Sequence, residues 1–171
     1  MLSYFGMDNR SEKKKMAIGW FSFTCCEDST ILFTELLNEH FDEWKKLVEF
    51  RHVKCLKTKN ELKDLDVAFI EGAISSAKQE EEVKKIRENS KYVVAIGSCA
   101  CTGLPSASRN AFTPDEITER IKRFIEQFDY SDKVKKLDDV IKVDDYVQGC
   151  PMRVEQFLTL LEKYLKLFNI K

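Results

Sequence analysis

Cysteines are the residues of this chain best suited to chemistry, and the 171-residue sequence contains six of them. Five directly follow segments that we predict to be strands, and these five are Cys25, Cys26, Cys99, Cys101 and Cys150. Because parallel strands present their carboxyl ends at one edge of a sheet, we expect these five thiols to converge there. The sixth, Cys55, lies in or beside a predicted strand, and we expect it in the core.

Grouped thiols can bind zinc, exchange disulfides or hold an iron–sulfur cluster. Structural zinc sites and thioredoxin-like dithiols both favour C-x-x-C pairs, and this chain contains no such pair. An iron–sulfur cube is larger than one ion and binds each thiolate through a different iron, so adjacent cysteines can reach two corners. The residue pattern therefore favours an iron–sulfur cluster. His40 and His52 have no metal-ligand spacing, and we expect them on the surface or hydrogen-bonded.

Alternating strand and helix patterns position these cysteines. The sequence predicts strands over 16–23, 48–56, 65–70, 92–97 and 140–147. It predicts helices over 29–40, with Asp28 or Ser29 as the N-cap, and over 79–89, 114–128 and 153–168, with a long loop over 98–114. This alternation is typical of an α/β fold with a mostly parallel sheet and helices on both faces.

Composition excludes several classes of protein. A net charge of −1 does not fit a general nucleic-acid binder. The apolar runs at 67–70 and 92–96 are far shorter than the ~20 residues that span a bilayer, so we expect no direct membrane span. Residues 1–15 have no signal-peptide pattern and are predicted to be a flexible polar leader before a single domain over 16–171. We expect a cytoplasmic protein, and structural disulfides are rare in that compartment.

Five segments together resemble a known family. They are GWFSFTCC at 19–26, DVAFIEGAIS at 66–75, EEEVKKIREN at 80–89, YVVAIGSCACTG at 92–103 and IKVDDYVQGCPM at 141–152. The chain resembles the electron-transferring small subunits of nickel–iron hydrogenases, in particular the short archaeal sulfhydrogenase delta type, and the related 20 kDa iron–sulfur subunit of respiratory complex I. The resemblance implies a flavodoxin-like fold and one 4Fe–4S cluster held against a large catalytic subunit.

The same resemblance implies the cluster ligands. Cys99 in GSCA and Cys150 in GCP match ligand positions of the family. Cys25-Cys26 departs from the C-x-x-C of most hydrogenases and is similar to the tandem pair of the complex I subunit. The implied ligands are therefore Cys25, Cys26, Cys99 and Cys150. Ser29 or Cys101 is the alternative for the fourth ligand, although we expect Cys101 to support or pack against the site rather than to bind the cluster.

Further expectations concern partners and protons. The family resemblance implies a large nickel–iron subunit, where hydrogen would react, and a further electron-carrier subunit. A Gly-Gly pair usually follows GSCA in the family, whereas residues 101–105 read CTGLP, which indicates a different partner surface. The chain ends soon after its last predicted helix, so we expect one cluster. Glu27 is either a proton relay or a charge that favours a helix N-terminus, and Asp28 and Glu71 are weaker relay candidates.

Three other functions fit parts of the pattern. The chain could be the iron–sulfur subunit of a complex I-like oxidoreductase, or a structural subunit that keeps the fold without a cluster. It could also be a flavodoxin-like flavoprotein, with Thr24, Ser29 and Thr30 near the flavin phosphate. That loop has no glycine, however, and the neighbouring Glu27 and Asp28 would repel a phosphate.

Overall fold

A single five-stranded sheet forms the centre of the molecule. The computed structural model describes residues 14–113 and 115–171. Its strands are β1 (Met16–Ser22), β2 (Val48–Val53), β3 (Leu65–Glu71), β4 (Ser90–Ile96) and β5 (Asp145–Val147). Every pairing is parallel, and the strand order is β2-β1-β3-β4-β5. This is the flavodoxin-like order, with its switch point between β1 and β3, and it confirms the predicted fold class.

Helices cover both faces of the sheet. They are α1 (Asp28–Leu47), α2 (Ala77–Glu88), α3 (Gly97–Thr102), α4 (Glu119–Gln127) and α5 (Val154–Leu167), with 3-10 helices at Ser106–Ala111 and Leu137–Asp139. One core layer contains the aromatic stack of Trp20 on Phe33, with ring centroids 4.2 Å apart, and the edge of Phe157 from α5. The opposite layer packs Val83 and Ile86 of α2 against β3 and β4. All seven residues of β3 are buried, which explains its apolar run at 67–70 between the buried carboxylates of Asp66 and Glu71.

Several element boundaries differ from the sequence predictions. Helix α1 continues past residue 40 to Leu47, because the buried Trp44 stacks with Phe33 at 6.4 Å. The predicted strand over 140–147 shortens to Asp145–Val147, and β2 ends at Val53 rather than at residue 56. The predicted loop over 98–114 instead contains the end of α3 and a 3-10 helix. The difference at α3 has the largest effect on the site. Successive residues of a helix point in different directions, so the helix determines which cysteine side chains share one side.

The remaining boundaries concern α4 and the start of the chain. Helix α4 begins at Glu119, after the Thr118 hydroxyl accepts the Ile121 N–H, and not at Pro114, which lies outside the described residues. Residues 1–13 of the predicted leader also lie outside them, so the division at residues 15 and 16 stays a prediction. Strand β1 does begin at Met16. Within the described ranges, no helix is long and apolar enough to cross a membrane.

Candidate functional site

A small cleft lies where β1, β3, β4 and β5 reach their carboxyl ends. Its lining includes four of the six thiols, those of Cys25, Cys26, Cys99 and Cys150. They come from three separate parts of the chain: the loop after β1, the start of α3 after β4, and the turn after β5. The structure therefore brings together all four cysteines that the family resemblance implied as ligands.

The four thiols differ in exposure. Cys99 is only 6% exposed and Cys25 is half-buried, whereas Cys26 and Cys150 are exposed. Burial raises the pKa of Cys25 to about 12, and the nearby Glu71 carboxylate contributes to this rise. A thiol with that pKa keeps its proton at neutral pH, so a metal that binds Cys25 must displace a proton. The cleft thus combines an enclosed interior with an open rim.

Cys101 is turned away from this cleft. Because each helical residue turns by about 100°, Cys99 and Cys101 face different sides of α3. The Cys101 Sγ donates toward the carbonyl oxygens of Ala95 and Val147, at 3.6 Å each, and burial raises its pKa to about 12. We expected five thiols to meet at this edge, and the structure brings together four of them. Cys101 is a packing residue.

Glu71, at the end of β3, secures the first turn of α1. Its Oε1 accepts the Ser29 N–H at 3.0 Å, and its Oε2 accepts the Thr30 N–H at 3.0 Å and the Thr30 hydroxyl at 2.6 Å. The predicted N-cap at Asp28 or Ser29 is wrong. Glu27 occupies the N-cap position with a left-handed φ of 64°, and its side chain makes no capping hydrogen bond in the described part of the chain. The buried Glu71 carboxylate, from the end of β3, therefore replaces the side-chain cap by accepting the first N–H groups of the helix.

The same arrangement argues against a flavin at this position. In flavodoxin-like folds the backbone N–H groups at a helix start are available to an anionic phosphate. Here the Ser29 and Thr30 N–H groups already bind the Glu71 carboxylate, which is only 3% exposed. A phosphate would have to displace this buried charge.

Hydrogen bonds also join the loops that carry the other cysteines. The Ser98 N–H donates to the Gly149 carbonyl oxygen at 2.7 Å, so the residues before Cys99 and Cys150 are in direct contact. The Ser29 Oγ accepts the Met152 N–H at 3.2 Å. Because the Ser29 oxygen is buried and already engaged, its position favours a structural role over that of a substitute ligand.

Glu27 and His52 line a second cavity beside β1 and β2, together with Cys55 and Glu82. Glu27 is not among the residues that line the cysteine cleft. The expected core position of Cys55 is wrong, since it is exposed in the turn after β2. His52 stacks on Phe21 at 4.4 Å, and its two buried ring nitrogens have no hydrogen-bond partner within the described residues. His52 is half-buried, and the expectation that it would be hydrogen-bonded is wrong.

The chemistry of the donors decides which group fits the cleft. Within residues 14–113 and 115–171, no three His, Cys, Asp or Glu side chains could together hold a single metal ion. Four thiols are, however, the ligand complement of a 4Fe–4S cluster, which binds one thiolate per iron and needs no common point for all four. Cys25, Cys26, Cys99 and Cys150 therefore fit such a cluster in number and type.

An all-parallel flavodoxin-like sheet with four thiols at its carboxyl edge defines a small α/β domain built around a cysteine site. The sequence profile of the family described as NADH ubiquinone oxidoreductase, 20 Kd subunit, matches residues 25–164. The chain belongs to this family, which confirms the resemblance found in the sequence.

Named relatives come from two kinds of oxidoreductase. A subunit of the F420-non-reducing hydrogenase of Methanothermobacter marburgensis is 31% identical over 173 residues, covering 91% of this chain and 54% of that protein. The delta chain of sulfhydrogenase 2 of Pyrococcus furiosus is 24% identical, covering 85% and 60%. A subunit of the NADH-quinone oxidoreductase of Heliobacterium modesticaldum is 39% identical over 77 residues, covering 45% and 30%. The chain thus spans about half the length of the first of these relatives.

Solved structures share the fold. A chain of an NAD+-reducing [NiFe]-hydrogenase superposes with a TM-score of 0.74 at 23% identity, covering 89% of this chain and 92% of that one. A chain of the Ni-Fe-Se hydrogenase from Desulfomicrobium baculatum gives a TM-score of 0.59 at 16% identity, covering 87% and 61%. At these identities the similarity establishes the architecture alone.

Proposed function

We propose that this chain is the electron-transfer small subunit of a nickel–iron hydrogenase-like complex and carries one 4Fe–4S cluster. The observation that carries the proposal is the meeting of four cysteines, from three distant segments, in one cleft at the sheet edge. Family membership and the relatives named as hydrogenase subunits support it. When bound, such a cluster accepts and passes on one electron at a time.

The ligands in this proposal are Cys25, Cys26, Cys99 and Cys150. Cys99 and Cys25 would hold the enclosed side of the cluster, and the exposed Cys26 and Cys150 its open side. Cys101 is a poor substitute, because its sulfur faces the carbonyl oxygens of Ala95 and Val147.

The open rim of the cleft suits the approach of a large nickel–iron subunit. A further electron-carrier subunit would receive or deliver the electron on another side of the chain. Both partners belong to the proposal, as does a cytoplasmic location for the complex.

A proton relay through Glu27 also belongs to the proposal. Glu27 directly follows Cys26 but lines the cavity of His52 and Glu82, so a proton path would run through that cavity. The variant Glu27→Gln should slow hydrogen turnover while leaving the iron content unchanged. Unchanged turnover would contradict the proton relay through Glu27.

The test is purification without oxygen, together with any co-eluting chains, followed by assays of iron, acid-labile sulfide and nickel and by low-temperature electron paramagnetic resonance. We expect about four irons per chain. Single Cys→Ala variants of the four cleft cysteines should lose the cluster signal, because alanine has no donor atom for iron. Cys55→Ala, at an exposed site outside the cleft, is the matched control and should keep it. An iron-free protein, or an intact signal in the cleft variants, would contradict the proposal.

A complex I-like oxidoreductase is the second candidate. It is favoured by the tandem Cys25-Cys26 and by the 39% identity to the NADH-quinone oxidoreductase relative over 77 residues. The cluster would be the same, but the partner would differ. Nickel in a co-eluting larger chain supports the hydrogenase-like complex, and iron without nickel supports this second candidate.

A further inference from the structure

The hydroxyl of Ser106 lies between two parts of the cysteine cleft. Its Oγ is 3.3 Å from the Cys99 Sγ and 3.0 Å from the carbonyl oxygen of Thr24, the residue before Cys25. Ser106 begins the 3-10 helix Ser106–Ala111, in the segment that the sequence predicted as a loop. One side chain therefore contacts a proposed ligand and the backbone beside another.

Neighbouring contacts hold Ser106 in place. Asn110 exchanges two hydrogen bonds with the backbone of Val134, at 2.7 and 2.8 Å. Arg109 donates to the carbonyl oxygens of the two residues Ser131 and Asp132. Val134 in turn packs in a small apolar cluster with Cys99, and Ala107 packs against that cluster. The 3-10 helix is thus anchored to the segment 131–134, and the half-buried Ser106 hydroxyl lies within hydrogen-bond distance of the Cys99 sulfur.

The chemistry of the sulfur decides which way the hydrogen bond runs. A cysteine sulfur bound to iron carries no hydrogen, so it can only accept, and Ser106 is then the donor. A negatively charged acceptor also makes the stronger bond, which favours Cys99 over the neutral Thr24 carbonyl. Hydrogen bonds to ligand sulfurs are among the factors that set cluster potentials, because they stabilise the more negative, reduced cluster.

We propose that Ser106 is a positioning residue that donates a hydrogen bond to the Cys99 sulfur and raises the reduction potential of the cluster. The inference rests on the proposed function. When a cluster is bound, one electron from an external reductant, dithionite in the test below, would reduce it and make its charge more negative by one. No bond forms or breaks in this step, and the proton stays on Ser106.

The test compares four proteins prepared without oxygen: the wild type, Ser106→Ala, Ser106→Thr and Ser108→Ala. Ser108 lies in the same 3-10 helix but is exposed and is the matched control. Dithionite titrations with redox mediators, followed by electron paramagnetic resonance, give the midpoint potential. Ser106→Ala should shift it to a lower value and lose its iron to a chelator ~10-fold faster. Ser106→Thr and Ser108→Ala should match the wild type.

The outcomes separate this inference from the proposed function. A wild type without iron refutes the function itself, before any variant matters. A wild type with a cluster whose potential is unchanged in Ser106→Ala overturns the role of Ser106 alone. If Ser106→Ala holds no iron, Ser106→Thr decides: recovery of iron and of the wild-type potential supports the role, and failure to recover them overturns it.

Discussion

The Glu71 carboxylate accepts both the backbone N–H and the side-chain hydroxyl of Thr30, at 3.0 and 2.6 Å. The Trp20 indole N–H donates to the same Thr30 oxygen at 2.8 Å, so the single hydroxyl hydrogen of Thr30 is free to point at Glu71. Strand β3 thereby holds the start of α1, two residues after the Cys25-Cys26 pair. The position of the first two cysteines therefore depends on a charge that lies 41 residues beyond Thr30 in the sequence.

Loss of this charge should affect both stability and the cleft. We expect Glu71→Gln to lower the free energy of unfolding by about 1–3 kcal/mol, because it places an amide donor opposite buried N–H groups. Asp66→Asn is the matched control: Asp66 is also buried on β3, but it accepts the Ala17 N–H at 2.9 Å, at the other end of the sheet. Urea unfolding should show a lower free energy of unfolding for both variants. Iron analysis should show a lower iron content for Glu71→Gln alone. Equal iron in the two variants would contradict a link between the cap and the cleft.

The backbone before Cys150 needs glycine. Gly149 has φ +120°, and a Cβ there would lie 2.5 Å from the Pro151 carbonyl oxygen. We expect Gly149→Ala to displace Cys150 and to lower both the melting temperature and the iron content. Gly103→Ala is the control: its φ of +84° carries a strain of about 1–2 kcal/mol, but the nearest atom to its Cβ is 3.2 Å away. A variant Gly149→Ala that is no worse than Gly103→Ala would refute this requirement.

The ion pair of Arg87 and Asp144 joins α2 to the segment before β5. Arg87 Nη1 lies 2.6 Å from an Asp144 carboxylate oxygen, which also accepts the Val93 N–H at 2.8 Å. We expect Asp144→Asn to lower the free energy of unfolding by about 1–3 kcal/mol. Lys163→Ala breaks the more exposed pair with Asp145 and should cost less than about 1 kcal/mol.

The same pair predicts an acid response. Burial alone would raise the pKa of Asp144, but the hydrogen bonds from Val93 and Arg87 outweigh it and lower the pKa. The stability that this carboxylate adds is therefore present at neutral pH and is lost as the pH falls through its lowered pKa. Unfolding curves between pH 7 and pH 2 should begin to converge for the wild type and Asp144→Asn below the ordinary aspartate pKa of about 3.9. A constant difference across the range would contradict this mechanism.

His52 predicts a response at milder pH. Burial, together with the nearby Lys54, lowers the pKa of His52 in the folded protein, and Glu82 opposes this effect. The unfolded chain therefore takes up a proton first, so folding stability should fall as the pH drops below the ordinary histidine pKa of about 6.5. His52→Phe keeps a ring that can stack on Phe21 and should show a flatter profile between pH 7.5 and pH 5.5. Parallel profiles would mean that His52 is not the group that titrates.

Sequence patterns predicted the sheet and the main cysteine cluster because both depend on local signals. The apolar run before Gly97 marks β4, and parallel strands place Cys99 and Cys150 at one edge whatever the details of the loops. The exact bounds of β5 were not predictable, since its three residues are paired only through β4.

Features that depend on contacts between distant parts of the chain could not be predicted from the sequence. The sequence pattern does not indicate the short helix α3, and this helix turns the Cys101 side chain away from the other thiols. The cap on α1 comes from Glu71, and no residue near position 28 indicates it. The sequence offers a single hint, an acidic residue at the end of an apolar strand. Ser106 and its contact with Cys99 depend on a 3-10 helix that no periodic pattern indicates.

The positions of the cleft cysteines in the sequence also determine when the complete set of four becomes available during synthesis. The loops after β1 and β4 supply three of the thiols, and the turn after the three-residue β5 supplies Cys150. During synthesis, the complete set exists only after residue 150 has left the ribosome and β5 has paired with β4. A cluster held by all four thiols would therefore be completed only after nearly nine-tenths of the chain has been synthesised.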